Sequence, residues 1–218
     1  GEKAETNFDE KNEATVKFRF AESLNALPRL IASKSESDSI TDIVGAVGSE
    51  VFTGFAANRE QLLNARVSDY KIIHFATHGL VNQQRPELSG IVLSRFDEAG
   101  RKLDEFIRLH DIYGLNLNAD LVVLSACDTG LGKEIRGEGL QSLNNAFLQV
   151  GAKSVLASLW KVEDEATQEL MKNFYAEIKN NNATPARALW LAQIKLRENP
   201  KYRAPFYWAA FTIQGEGK

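Results

Sequence analysis

Short apolar runs alternate with amphipathic stretches through most of this chain. Residues 72–77, 121–126 and 154–159 are continuous apolar runs bounded by polar or glycine-containing turns. Runs of that length read as strands buried on both faces. Weaker strands are expected at 51–55, 90–94 and 207–213, with a polar turn at 97–100 returning the 90–94 segment as a hairpin. Helical spacing of apolar residues predicts a helix over 139–150, with Leu140, Leu143, Ala146, Phe147 and Val150 on one face. Ala166, Leu170, Phe174 and Ile178 predict another over 163–179. Gly151 stops the first, and acidic residues favour the start of the second. Thr184-Pro185 supplies an N-cap and a first-turn proline for a helix running to about residue 197. Asn58 caps a shorter helix through residue 65, and residues 109–113 complete the helical set.

The amino-terminal part has a different texture. Residues 1–14 read as linker, and 15–32 as an ordered lead-in broken by Pro28. Residues 33–39 (Ser-Lys-Ser-Glu-Ser-Asp-Ser) read as a solvated loop before a short helix over 39–47. From residue 51 strands and helices alternate, which favours a mostly parallel sheet covered by helices on both faces. No internal repeat is visible at a period of about 20–50 residues.

Composition narrows the class. A chain of 218 residues suffices for one sizeable α/β domain or two small ones. The net charge of −3 shows no basic excess, so nucleic acid is not an expected partner. Apolar stretches stay under ten residues, too short to cross a bilayer as a helix, and no secretory signal is visible. A single cysteine excludes an intrachain disulfide and suits a reducing, cytoplasmic setting. The charged lead from Gly1 and the single methionine, Met171, read as a domain excised from a longer parent.

Two of the buried runs end in reactive side chains, His78 and Cys127, each leading into turn residues. Open α/β sheets carry their chemistry at strand carboxyl ends. His74 and His78 lie four residues apart, within about 6 Å on a helix but about 13 Å apart on a strand. The β-branched residues before His74 argue for a strand, so a shared metal ion is disfavoured. His74 is then a packed, hydrogen-bonded core histidine and His78 the freer one; His110 is structural or exposed. For Cys127 the residues alone leave two readings open. Free cysteine is usually buried packing, but the apolar run ends at Ala126 and turn chemistry comes next. Nucleotide loops fail on spacing. The third glycine after Gly130-Leu131-Gly132 would fall at Ile135, and a phosphate loop ending in Gly132-Lys133 would need its first glycine at Cys127. No Gly-x-Ser-x-Gly elbow occurs.

Several blocks together resemble the CHAT domain. They are His74-Phe75-Ala76-Thr77-His78-Gly79, Leu124-Ser125-Ala126-Cys127-Asp128-Thr129-Gly130 and Gly137-Glu138-Gly139. Leu159-Trp160-Lys161-Val162-Glu163-Asp164 and Tyr207-Trp208-Ala209-Ala210-Phe211 come after them in order. The resemblance implies a caspase-like α/β/α sandwich with a mostly parallel central sheet. The domain would span 40–218, behind a linker and lead-in over 1–39. It implies a cysteine endopeptidase related to caspases and separases, with His78 as catalytic histidine and Cys127 as nucleophile. The backbone N–H groups of Gly79 and Cys127 would form the oxyanion hole. By likeness to a separase block, Asp164 is the candidate floor of a pocket for a basic P1 side chain, with Asp128 second. The other reading of Asp164, that it merely favours the start of its helix, stays open. Glu134 and Glu138 read as solvated loop charges. The expected partners are a protein or peptide substrate and an upstream helical-repeat region of the same parent chain; no cofactor and no metal are implied. The competing expectation is a catalytically silent caspase-like scaffold for protein interaction and signalling.

Overall fold

A computed structural model describes residues 27, 30, 32–82, 88–128 and 138–217, with backbone only for 126–128 and 138–140. The expected linker over 1–14, most of the lead-in and the Gly130–Glu134 segment lie outside the described residues. Two helices come first, α1 (Ala32–Val44) and α2 (Arg59–Asn64), then β1 (Ile72–Leu80), β2 (Gly90–Val92) and β3 (Phe106–Arg108). The chain continues through α3 (Leu109–Tyr113), β4 (Leu121–Asp128), α4 (Glu138–Gln149), β5 (Ser154–Ser158) and α5 (Asp164–Asn181). It closes with α6 (Pro185–Glu198), the short α7 (Pro205–Trp208) and β6 (Phe211–Gly215).

The six strands form one sheet in the order β3-β2-β1-β4-β5-β6. Its centre, β1-β4-β5, is parallel, and both edges are antiparallel. Helices cover both faces, so the fold is the α/β sandwich of caspase-like type. Strand side chains alternate between two cores. Phe75, Val122, Leu124 and Val155 pack with Ile112 of α3 and Leu143, Ala146 and Phe147 of α4. Leu121, Val123 and Leu156 pack with Leu170, Met171 and Phe174 of α5 and Leu189 and Leu196 of α6. Each fully buried aliphatic or aromatic side chain contributes about 1.5–3 kcal/mol.

The amino end of the parallel centre is closed by backbone. Lys71 carbonyl accepts from Asp120 N–H at 2.8 Å, Ala119 carbonyl from Lys153 N–H at 2.9 Å, and Lys153 carbonyl from Glu216 N–H at 2.9 Å. Gly151, at φ +111°, leaves no room for a side chain: a Cβ there would lie 2.1 Å from the Leu117 carbonyl oxygen. The same holds for Gly215, at φ +102°, against the Lys153 carbonyl oxygen.

Three sequence expectations are corrected. The 33–39 stretch is helical, as part of α1, and the helix ends at Val44 rather than at residue 47. Its serines satisfy their hydroxyls on preceding carbonyls (Ser35 on Ala32, Ser37 on Lys34), Lys34 pairs with Asp38 one turn on, and the buried Glu36 has a tertiary partner in His74. Residues 51–55 are not a strand. Among the described residues no strand lies beside them, and Gly54 at φ +56° opens a 3-10 turn (Gly54–Ala56). Residues 207–208 belong to α7, whose first turn Pro205 presets, and the strand begins only at Phe211, after a turn. The hairpin turn at 97–100 is present, closed by Asp97 and Arg101 and by a bridge between Phe96 and Lys102.

Candidate functional site

β1 and β4 run side by side, in step from Ile72 opposite Leu121 to Phe75 opposite Leu124. The register then shifts: His78 lies opposite Ala126, Gly79 opposite Cys127 and Leu80 opposite Asp128. Three residues of β1 pass against two of β4, a one-residue bulge. Bulges bend a strand and re-aim the side chains beyond the bend, and they recur beside active sites. The bulge and both residue types lie at the carboxyl end of the parallel centre, opposite the backbone-closed end. Neighbouring strands lie about 4.8 Å apart, so the backbones of His78 and Cys127 are near neighbours. The side chains of Cys127 and Asp128 lie outside the described residues, as does Glu134; Glu138 is the first residue of α4.

His78 is only 7% exposed, so it is more enclosed than the freer histidine expected from the sequence. It lines a pocket together with Ser125, Ser158, Lys161, Asp164 and, unexpectedly, Glu36 of α1. Asp164 is the first residue of α5, behind the N-cap Glu163, and is half-buried. The structure therefore brings His78 and Asp164 to one pocket.

His74 is the hydrogen-bonded core residue expected of it. Nδ1 lies 2.9 Å from the Tyr175 hydroxyl, and Nε2 lies 2.8 Å from Glu36 Oε1 and 3.3 Å from Ser125 Oγ. Burial, and next the charge of Glu36, push the Tyr175 hydroxyl above its ordinary range, so it keeps its proton. His110 is 72% exposed at its side chain. Sequence reasoning missed Glu36. Its one signal was the spacing to Ile40, Ile43 and Val44, which puts it on the buried stripe once the segment is helical.

A caspase-like sandwich with a histidine and a cysteine at adjoining strand ends belongs to the caspase-like peptidase superfamily. Within it, the chain belongs to the CHAT-domain family: the family described as "CHAT domain" matches residues 6–216. The chain is also similar to Tetratricopeptide repeat protein 28 of Mus musculus, 26% identical over 218 residues, covering 84% of this chain and 8% of that protein. Tetratricopeptide repeat protein 28 of Homo sapiens is 25% identical over 215 residues, with the same coverage. The chain thus spans about 8% of the length of the curated relatives it matches. Among the described residues no helix is long and apolar enough to cross a membrane.

Proposed function

We propose that the chain is a cysteine endopeptidase of the caspase and separase type that cuts a protein partner through Cys127 and His78. The observation that carries this reading is the register of β1 and β4, with His78 and Gly79 opposite Ala126 and Cys127. A thiol attacks only as thiolate, so the neighbouring imidazole takes or balances its proton. Cys127 Sγ bonds to the scissile carbonyl carbon, and the carbonyl electrons move onto oxygen, held by the N–H groups of Gly79 and Cys127. His78 then protonates the leaving amine as the C–N bond breaks, giving a thioester. Water attacks that thioester, His78 takes its proton, and the C–S bond breaks. Asp164, with Asp128 second, receives a basic P1 side chain; an acidic group in the pocket that His78 lines is what supports this.

A reducing, cytoplasmic setting goes with a thiol nucleophile. An upstream helical-repeat region of the same parent chain belongs to the proposal, supported by the repeat-protein names of the curated relatives. The test is covalent labelling of the full-length protein by a peptide carrying a thiol-reactive electrophile after arginine. An adduct on Cys127 that is lost in His78→Ala is expected. No adduct on Cys127 would overturn the reading, and a Cys127→Ala protein with unchanged biological function would favour the silent scaffold.

A further inference from the structure

We propose that His74 is a positioning residue for the His78–Cys127 pair, fixed by Glu36 of α1 so that docking of this helix is part of the site. The inference rests on the peptidase reading above. Four elements meet at the His74 ring: β1, which carries it, β4 through Ser125, α1 through Glu36 and α5 through Tyr175. A carboxylate offers only acceptors, so Nε2 carries the hydrogen and donates to Glu36. In the neutral imidazole Nδ1 is then the acceptor, and the protonated Tyr175 hydroxyl donates to it. The ring's tautomer and orientation are thereby set by its partners.

Its position along β1 gives the cluster a task. The ladder runs in step through His74 and Phe75 and loses step immediately afterwards, before resuming at His78. His74, on the near side of the bulge, therefore reaches Ser125, the β4 residue inside it, while His78 and Gly79 lie on its far side. A bulge is where a strand bends most easily, and a displacement of about 1 Å at reacting groups costs about a hundredfold in rate. A tie at this point fixes the far side. Packing alone does not call for these residues. Apolar residues of similar volume hold a core as well or better than buried polar and charged groups, whose desolvation offsets the bonds they make. Here the side chains of His74 and Glu36 are 14% and 6% exposed. Glu36 is the one buried residue of α1, and Glu36, Ser125 and His78 line the same pocket.

The test is the rate of Cys127 alkylation by iodoacetamide against pH in the full-length protein, read by mass spectrometry on the Cys127 peptide, beside kcat and KM on a peptide substrate. His78→Ala should remove the alkylation that persists below the ordinary thiol range. His74→Asn and Glu36→Gln, checked for folding by thermal melting, should each lower the neutral-pH alkylation rate and kcat about tenfold, with KM within about twofold. Ser125→Ala removes only the 3.3 Å tie between the strands and should give a smaller loss of the same kind. A wild-type profile in folded His74→Asn, or in both Glu36→Gln and Ser125→Ala if His74→Asn does not fold, overturns the positioning role and leaves the pair standing. A profile indifferent to His78 overturns the pair and the positioning role with it.

Discussion

Asp164 begins α5 and shares the pocket of His78, and the two roles proposed for it make different demands. As a helix-start residue it contributes about 0.3–1 kcal/mol through the helix dipole. As the partner of a basic substrate side chain in a half-buried pocket it is worth more, because truncating one side of such a pair costs about 2–5 kcal/mol when enclosed. Asp164→Asn is expected to lower kcat/KM for arginine at P1 by at least about tenfold while leaving a neutral P1 unchanged. Kinetics on paired peptides check this, and a preserved basic preference would refute the role. Much of the residue-level detail was legible from local geometry. The β-branched residues before His74 predicted one strand carrying both His74 and His78, and both lie on β1. Glu36 was not legible, because its partner His74 is 38 residues away and its own neighbours are serines, lysine and aspartate.

At the scale of elements, α2 and α3 are joined through Asp111, whose side chain is 7% exposed. Its carboxylate accepts the Arg108 N–H at 3.0 Å and pairs with the Arg59 guanidinium. Burial pushes this carboxyl up, but those two partners outweigh it and hold the group below the usual carboxylate range. A depressed folded-state pKa adds stability that is complete above the unfolded value and is lost as pH falls through the folded one. Asp111→Asn is expected to cost about 1–2 kcal/mol at pH 7. The gap to wild type should close below about pH 4, as measured by denaturation across pH. The same scale shows which elements a pattern reveals. Continuous apolar runs gave β1, β4 and β5 because packing against helices on both faces leaves a local signature. The 51–55 segment has strand composition but no partner strand among the described residues, and pairing is a property of two segments. The helicity of α1 rests partly on tertiary contacts, such as Glu36 with His74, that no local window contains.

For the whole molecule, alternation of strand and helix sufficed for the sandwich and its parallel centre. The antiparallel edges were not legible beyond the hairpin turn, since the direction of β6 depends on how α7 turns the chain. The closed amino end yields a prediction at this scale. Gly151→Ala would drive a Cβ into the Leu117 carbonyl at a positive φ, and is expected to cost more than about 1 kcal/mol. In the protein that remains folded, Cys127 alkylation should be unchanged; calorimetry and the alkylation rate check the two halves. The contrast between that end and the pocket end also bears on how such chains diversify. One pole is fixed by main-chain contacts indifferent to most side-chain identities, and the other is lined by side chains from α1, β5 and the start of α5. Variation at exposed or half-buried lining positions such as Ala32, Ser33 and Lys161 can therefore redraw what is recognised at a nearly constant melting temperature, and libraries aimed at new selectivity belong there.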